Sequence, residues 1–466
     1  MTVFQLSTFI ASLFLSTHPH HPPVNIQITV EGLTAGTAKL VGVNGDQNYL
    51  ADTAKIGPNG QINLSKAEPY RSGLYFLVLP DNSNIQFLVD KDLSFSLKTT
   101  KTDVVGAMQV EGSIDNQLFY ENLKFQKSLE PKFNAIHAKL LATQRGTPEY
   151  QDLKAQEDKM LGERNAQLEG YRKNYPNTLF TKFKIAGQNP NVGEYLRPDG
   201  VMDTTLQVFV FRSHYWDDFD FSDDCLMRTP VLHNKLKAFM LQLTAQNPDS
   251  INASADVIID KSLKNKELFK FISNWIALQY KPTQTSLMDG EAVYSHIILK
   301  YFTKERAFWS DSAEIKGLRD QANNMRFSLI GMKGKDVWGT DKAGVRRSLY
   351  QNKAAATILF IYNPDCEHCQ EQTPKLRQVY DQYKSRGVEV FAIASQTDEA
   401  KWKAFGPKYG VNWTDVRDPS FQSNYHIKYY IDITPEIYVL NKEYIIVAKN
   451  LKPDQLPEIL DNALAQ

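Results

Sequence analysis

One segment specifies the fold of the C-terminal part of the chain: Ala356-Thr-Ile-Leu-Phe-Ile-Tyr-Asn-Pro-Asp-Cys366-Glu-His-Cys369-Gln-Glu-Gln-Thr-Pro374. Residues 357–362 are apolar, β-branched and aromatic, which predicts a buried strand. Asn363-Pro-Asp365 has the chemistry of a turn. Apolar side chains then recur near the helical period of about 3.6 residues, at Leu376, Val379, Tyr380 and Tyr383. The two cysteines therefore fall where a strand is followed by a helix, with Cys366 at its start and Cys369 one turn further on.

This placement predicts two thiols with different reactivity. Free N–H groups and the positive end of the helix dipole stabilise an anion at a helix N-terminus, so they lower the pKa of a thiol there. The effect is strongest at the first position, which makes Cys366 the expected nucleophile and Cys369 the resolving thiol. His368 lies between them, and as a cation it would stabilise the thiolate, favour the dithiol and make the disulfide more oxidising.

Three interpretations of the cysteine pair are open. It could be half of a zinc site, although no second Cys/His pair occurs at ligand spacing. It could be an inert structural disulfide, although a thiol at a helix start is usually reactive. The placement favours the third interpretation, a redox pair that exchanges disulfides.

The order of elements between residues 358 and 447 resembles the thioredoxin-fold domain of TlpA-like envelope oxidoreductases. Pro374 follows Cys369 by five residues, as in the helix of that family. Further matching segments are a strand at 388–394, a short helix from about Glu399 interrupted at Gly406-Pro407, a strand at 433–439 and a hairpin partner at 444–448.

The resemblance implies a disulfide exchange site without any cofactor other than the Cys366–Cys369 disulfide. It implies that Pro435 is cis and faces the Cys366 sulfur, which leaves the backbone of Thr434 open to an extended substrate peptide. The other interpretation of Pro435 is an ordinary proline at a strand entry. The residues to which the resemblance assigns the site are Cys366, Cys369, His368, Thr434 and Pro435.

The sequence departs from the family pattern at two acidic positions. Phe360 stands where many thioredoxins have a buried Asp, and Gln372 stands where many TlpA-like proteins have Glu. Glu371 is adjacent to Gln372, but neighbouring helical residues point about 100° apart. The resolving step is therefore expected to use water or His368, or to be slower. A peroxidase is disfavoured, because Leu359 and Asn363 replace the Pro and Thr/Ser of the peroxiredoxin motif.

Length and charge describe an ordinary globular multidomain protein. A chain of 466 residues predicts two to four domains. Lys plus Arg and Asp plus Glu both number 53, so no global charge attracts nucleic acid. No apolar run of 18 or more residues follows the N-terminal segment, which predicts no internal membrane span.

The first residues, 1–22, have the apolar length of a secretory signal but lack its basic start and an Ala-x-Ala site. We interpret them as an atypical signal-like segment, so the protein is expected in the periplasm or cell envelope; a mis-assigned start or a local strand is the alternative. His18, His20 and His21 lie among prolines, which indicates a disordered junction rather than a metal site.

Three domains are predicted after this segment. Residues 23–110 alternate apolar and polar residues and predict an antiparallel β-sandwich, which resembles the N-terminal domain of these oxidoreductases and would serve docking or a homodimer contact. Residues 111–325 predict an all-α domain, with a stripe bent or broken at Pro131. Residues 326–466 are the predicted α/β thioredoxin-like domain. The segment 214–235 resembles a signature of the helical domain.

That segment carries several acids and the third cysteine, Cys225. The group His214, Asp217, Asp218, Asp220, Asp223 and Asp224 could suggest a metal, but such clusters are more often solvated or capping residues, and we predict no metal site. Cys225 is either buried and inert or a reactive odd thiol. Its acidic neighbours disfavour a thiolate, which favours the inert interpretation.

Two functions from different classes remain. In the first, the chain is an exported thiol–disulfide oxidoreductase, by resemblance a reductase, that acts on protein thiols and is recharged by an upstream thiol donor. In the second, it is a non-catalytic envelope scaffold with a structural or vestigial cysteine pair. Phe360 and Gln372 keep the second hypothesis open.

Overall fold

The computed structural model describes residues 23–193, 195–282 and 284–465. The predicted signal-like segment 1–22, with His18, His20 and His21, lies outside the described residues. The described chain divides into two compact units between Lys237 and Ala238. In the part that the structure describes, no helix combines the length and the apolar character that crossing a membrane requires.

The first unit begins with two four-stranded sheets, ordered β4-β1-β7-β8 and β3-β2-β5-β6. Their strands are β1 Val24–Glu31, β2 Gly36–Asn44, β3 Gln47–Ile56, β4 Gln61–Lys66, β5 Gly73–Val78, β6 Asn84–Val89, β7 Ser94–Thr100 and β8 Gln109–Glu111. Every second residue of β1 is buried from Val24 to Val30, so one face of the strand supplies the core. Phe87 of one sheet and Phe95 of the other contact edge to face, with centroids 6.0 Å apart.

One strand pair of this sandwich departs from the antiparallel pattern. β1 and β7 run parallel, with Ile26 opposite Phe95 and Ile28 opposite Leu97. Parallel neighbours need a long connection, and here the chain passes through the other sheet between the two strands.

Helices make up the rest of the first unit. They are α1 Ile114–Ala142, α2 Pro148–Asn174, α3 Leu179–Ala186, α4 Thr204–His214 and α5 Pro230–Leu241, within which the division between the units falls. The side chains of Ser113, Thr147 and Thr178 each accept a hydrogen bond from a backbone N–H of the first turn, which sets where α1, α2 and α3 begin. α1 continues through Pro131 instead of ending there.

The acids before Cys225 have protein partners. Asp223 pairs with Lys182 and accepts the backbone N–H of Cys225, and Asp224 pairs with Arg228 at 2.9 Å. Among the described residues, no group of three or more His, Cys, Asp and Glu side chains is arranged to hold a metal ion. Cys225 is buried, and burial together with the Asp223 charge raises the pKa of its thiol well above the ordinary value.

In the second unit, four described helices follow the end of α5 and precede a seven-stranded mixed sheet that has further helices between its strands. The helices are α6 Pro248–Ser262, α7 Lys266–Gln279, α8 Gly290–Tyr301 and α9 Ser312–Met325. The rest consists of β9 Trp338–Asp341, β10 Arg346–Ser348, β11 Ala356–Tyr362, α10 Glu367–Tyr383, β12 Val388–Ala394, α11 Glu399–Tyr409, β13 Thr414–Arg417, α12 Tyr425–Lys428, β14 Glu436–Asn441, β15 Ile446–Lys449 and α13 Leu456–Leu464. The predicted fold class, a strand-rich region, a helical region and a thioredoxin-like sheet, is confirmed. The boundaries at 110/111 and 325/326 stay a prediction.

The strand before the cysteines is the centre of this sheet. The order is β10-β9-β13-β12-β11-β14-β15, in which β11 pairs parallel with β12 and antiparallel with β14. All seven residues of β11 are buried. Ile358, Phe360 and Tyr362 pack on the side that also contains α10, and Leu359 and Ile361 pack on the opposite side. A strand covered on both faces has a continuous apolar sequence.

A buried charged cluster joins α8 to the sheet edge. Lys449 of β15 is fully buried and lies 3.2 Å from the Glu291 carboxylate, which also accepts hydrogen bonds from the side-chain amide of Asn450 at 2.9 and 3.1 Å. Glu436, the first residue of β14, is buried as well, and burial raises its pKa to about 8 against the opposing charge of Lys449. Asp289 lies 4.0 Å from the Lys449 ammonium. The carboxyl groups of Asp289, Glu291 and Glu436 therefore depend on the Lys449 ammonium as their positive counter-charge.

We expect Lys449→Met to lower the free energy of unfolding by about 3–5 kcal/mol, because loss of one partner leaves buried carboxyl groups without a counter-charge. Urea denaturation of the full chain measures this change. The matched control is Lys375→Met, which breaks an exposed pair with Glu371 and should leave the transition unchanged. Equal effects of the two substitutions would contradict the assigned role of Lys449.

Candidate active site

The turn between β11 and α10 places Cys366 at the start of the helix. The Asn363 side chain accepts the Asp365 N–H at 2.8 Å, and the Asn363 carbonyl accepts the Cys366 N–H at 3.0 Å. Cys366 is the N-cap residue, in extended backbone conformation, and its carbonyl accepts the Gln370 N–H at 3.0 Å. Its side chain therefore lies where the N–H groups of the first turn have no helical acceptor.

The pKa of Cys366 lies below its ordinary value. Partial burial alone would raise it, but hydrogen bonds from the N–H and thiol of Cys369, from Thr434 and from the backbone N–H of His368 outweigh burial. These donors favour the thiolate. Cys366 is partly exposed, so the lowered pKa belongs to a residue at the protein surface.

Cys369 has the opposite environment. It is fully buried, and burial raises the pKa of its thiol to about 12. The Asn363 N–H donates to its sulfur at 3.4 Å, which opposes the shift in part. The negative charge of a neighbouring Cys366 thiolate raises the pKa further. The surroundings of Cys366 thus favour the thiolate, and those of Cys369 favour the neutral thiol.

The structure brings Thr434 and Pro435 to the cysteines. The Thr434–Pro435 peptide bond is cis, and the Cys366 thiol donates to the Thr434 carbonyl at 3.3 Å. Ile433, the residue before Thr434, is an apolar side chain that is 57% exposed. His368 is exposed, and it contributes to the Cys366 environment through its backbone N–H. The catalytic roles of these residues, and of the His368 imidazole, stay predictions.

The two departures from the family pattern have clear structural outcomes. Phe360 is fully buried and stacks on Tyr362, with ring centroids 5.2 Å apart. Glu371 is exposed and pairs with Lys375 at 2.7 Å, so its carboxylate is directed to a surface partner. Gln372 carries no acid. These three positions leave Cys369 without the acid that the family pattern places beside it.

A buried acid that the sequence analysis did not identify lies on a different strand. Asp415 of β13 is 6% exposed and accepts hydrogen bonds from the Tyr362 hydroxyl at 2.9 Å and the Trp402 indole at 3.0 Å. The Lys342 ammonium lies 3.3 Å from the same carboxylate. The sequence did contain a signal for this residue, because an acidic residue stands next to Val416 in a segment of strand length. Acidic residues are rare in buried strands, so one that occurs there is a candidate for a specific role.

Two family descriptions match separate parts of the chain. Residues 330–449 match the AhpC/TSA family. Residues 179–323 match a domain of unknown function, DUF5106, which includes the segment 214–235. The first match covers the seven-stranded sheet and helix α10, at whose start the two cysteines lie.

Curated relatives match the same region. Thiol-disulfide oxidoreductase ResA of Bacillus thuringiensis (strain Al Hakam) is 26% identical over 84 residues, 18% of this chain and 49% of that protein. ResA of Bacillus subtilis (strain 168) is 28% identical over 107 residues, 23% of this chain and 59% of that protein. The chain thus spans about half the length of the first of these relatives.

A solved structure extends the likeness of the fold. A thioredoxin-like protein from Bacteroides caccae ATCC 43185 superposes with a TM-score of 0.50 at 20% identity, over 59% of this chain and 99% of that one. At this identity the likeness concerns the fold alone.

We expect iodoacetamide to alkylate Cys366 of the reduced protein at pH 7, while Cys369 and Cys225 stay unmodified. Thiolates are the reacting species, so a lowered pKa moves the rise of the Cys366 rate to lower pH, and the raised pKa values suppress the other two. Mass spectrometry of peptides across a pH series measures each site. Cys366→Ser should abolish the fast reaction, and faster modification of Cys225 than of Cys366 would contradict the assignment.

Proposed function

We propose that this chain, a TlpA-like thioredoxin-fold protein of the thiol–disulfide oxidoreductase class, reduces protein disulfides in the cell envelope. The observation that carries the proposal is the pairing of a low-pKa, partly exposed Cys366 at a helix N-terminus with a buried, high-pKa Cys369 one turn later. This asymmetry is what sequential disulfide exchange needs.

The proposed reaction has two exchange steps. The Cys366 thiolate attacks a substrate disulfide, forms a mixed disulfide and releases the first substrate sulfur as a thiolate. Cys369 then loses its proton and attacks the Cys366 sulfur, which releases the second substrate sulfur and forms the Cys366–Cys369 disulfide. Two electrons pass to the substrate, and an upstream thiol donor restores the dithiol.

An extended peptide is the substrate that suits the surroundings of Cys366. The backbone of Thr434 before Pro435 supplies polar groups, and exposed Ile433 supplies an apolar contact. A peptide with a cystine and an adjacent apolar residue could bind the backbone of Thr434 and contact Ile433. The β-sandwich and the helical region would dock this partner or a second copy of the chain.

The direction of electron flow follows from the potential of the cysteine pair. A stabilised Cys366 thiolate favours the dithiol and raises the potential, which acts against a reductase. The pKa of buried Cys369 is raised to about 12, so its thiolate is disfavoured. This effect destabilises the reduced form, lowers the potential and favours a reductase. Reductase is the direction that the family resemblance supports.

We expect the Cys366–Cys369 pair, measured with Cys225→Ser as background, to equilibrate with dithiothreitol near the thioredoxin potential of about −270 mV. Quantified fractions of oxidised and reduced protein give the value. Cys366→Ser should abolish reduction of an insulin disulfide, and Cys369→Ser should accumulate a mixed disulfide on Cys366.

A potential near that of DsbA, about −120 mV, would instead identify an oxidant or isomerase. If the native pair does not exchange with glutathione or dithiothreitol at all, the enzyme is excluded. The chain would then be a scaffold with a vestigial cysteine pair.

Export is proposed from the apolar segment at residues 1–17. Cell fractionation should place the full chain in the envelope fraction, and deletion of residues 1–22 should leave it in the cytoplasm. Substitution of His18, His20 and His21 by Ser, which leaves the apolar segment intact, serves as the control and should not change the location. Envelope location of the deleted chain would contradict a signal function.

A further inference from the structure

The resolving step requires a proton acceptor for a thiol that is difficult to ionise. Cys369 is fully buried, and its pKa is raised to about 12. A general base that removes such a proton accelerates attack by about 10²–10⁴-fold. Phe360, Gln372 and exposed Glu371 do not provide one.

Asp415 has the burial and the contacts of an acid that can hold a proton inside the domain. Its carboxylate has one oxygen bound to the Tyr362 hydroxyl and the other to Trp402 and Lys342. Burial raises its pKa, opposed by the charge of Lys342 and by these hydrogen bonds. A carboxyl group with a raised pKa takes up a proton more readily near neutral pH than an exposed one.

Tyr362 hydrogen-bonds to this acid and belongs to the same buried cluster as the resolving thiol. Tyr362, Cys369, Trp402 and Phe405 belong to one buried cluster on the α10 side of the sheet. Tyr362 is 1% exposed and its ring lies 4.7 Å from that of Phe405. A negative charge on Cys369 raises the pKa of Tyr362, and so does the charge of Asp415, so the hydroxyl is within electrostatic reach of both.

The strand register brings Asp415 to the same side of the sheet. Asp415 lies opposite Ala392 of β12, and Ala392 lies opposite Phe360 of β11. Adjacent strands place directly opposite residues on one face. The acid therefore enters the cluster from two strands away, with Tyr362, two residues after Phe360, on the same face of β11.

Lys342 joins the buried Asp415 carboxylate to the protein surface. Its side chain is 35% exposed, while the Asp415 side chain is 4% exposed. The charged and titratable groups that face Asp415 are Lys342 from the segment after β9, Tyr362 from β11 and, through Tyr362, Cys369 from α10. Arg417 of β13 lies 5.7 Å from the Trp402 ring and pairs with Glu399, away from the carboxylate.

Two anions in one buried cluster repel each other strongly, so the Cys369 thiolate and the Asp415 carboxylate disfavour each other. Transfer of one proton between the two groups keeps the charge of the cluster constant. This constraint couples ionisation of the thiol to protonation of the acid.

We propose that Asp415, acting through Tyr362, is the positioning residue that takes up the proton of Cys369 in the resolving step. The inference rests on the proposed disulfide exchange. The Cys369 S–H bond breaks, its proton enters the cluster and protonates Asp415, and the resulting thiolate attacks the Cys366 sulfur of the mixed disulfide. The substrate sulfur leaves with the electron pair of the broken S–S bond and takes a proton from water, and Asp415 returns its proton to solvent past Lys342.

The test separates the two sulfurs by their reactions with Ellman's reagent in a Cys225→Ser background. The first release of thionitrobenzoate reports attack by Cys366, and the second reports resolution by Cys369. Stopped-flow absorbance follows both phases across a pH series. The variants are Asp415→Asn and Tyr362→Phe. The matched control is Tyr380→Phe, which removes a hydrogen bond of 2.8 Å that a buried tyrosine of the same cluster donates to the half-buried Glu389 carboxylate.

We expect both variants to slow the second phase at pH 7 by about 10-fold or more, while the first phase and the control stay unchanged. In the parent protein the second-phase rate should rise with pH and level off where Asp415 is ionised. In Asp415→Asn it should continue to rise towards the pKa of Cys369. A purely structural role would alter both phases together and leave the shape of the pH profile intact.

An unchanged second phase in Tyr362→Phe, or a levelling-off that persists in Asp415→Asn, would overturn the inference. If Asp415→Asn does not fold, the rate of the second phase in Tyr362→Phe at pH 7 tests the inference by itself. Absence of the first phase in the parent protein would instead refute the proposed function itself, so the two failures are distinguishable.

Discussion

The burial of β11 on both faces is the constraint on which the cysteine site depends. Seven consecutive buried residues fix the strand between β12 and β14, so its C-terminal end has a defined position. The turn at Asn363 then starts α10 at Cys366, and the parallel and antiparallel neighbours hold β12 and β14 in register beside it. Since β14 begins directly after Pro435, the same strand also brings the Thr434 carbonyl to the Cys366 sulfur.

Local chemistry made this part of the chain predictable. The apolar run, the Asn-Pro-Asp turn and the helical period lie within about thirty residues, and each specifies one element without reference to distant residues. The strand expected at 388–394 is β12 Val388–Ala394, and the helix expected from Glu399 is α11 Glu399–Tyr409. Pro407, expected to interrupt that helix, lies inside it. The thioredoxin fold expected from these residues is confirmed, since residues 330–449 match the AhpC/TSA family and a thioredoxin-like protein superposes on the chain.

Elements whose stability comes from distant pairing were not predictable in the same way. β3 Gln47–Ile56 is mostly exposed and shows no apolar alternation, because it is an edge strand that β2 holds by backbone hydrogen bonds. The parallel pairing of β1 with β7 joins segments more than sixty residues apart. The compensation of Glu291 by Lys449 joins a helix and a strand that no spacing rule connects.

The same distinction applies to the two thiols. The low pKa of Cys366 comes from N–H groups and a thiol in the first turn of its own helix and from the Thr434 side chain. A helix start in the sequence was therefore enough to predict that this pKa is lowered. The buried cluster that contains Cys369 is built by side chains of β11 and α11, two of which hydrogen-bond to Asp415 of β13, and only the folded sheet assembles it. A buried acid can accept the proton of a buried thiol through the cluster that both groups share. The acid can therefore lie on a different strand from the one that carries it in the family pattern. The loss of acids at Phe360 and Gln372 therefore does not imply a vestigial pair, because Asp415 supplies a carboxyl group to the same apolar volume from two strands away.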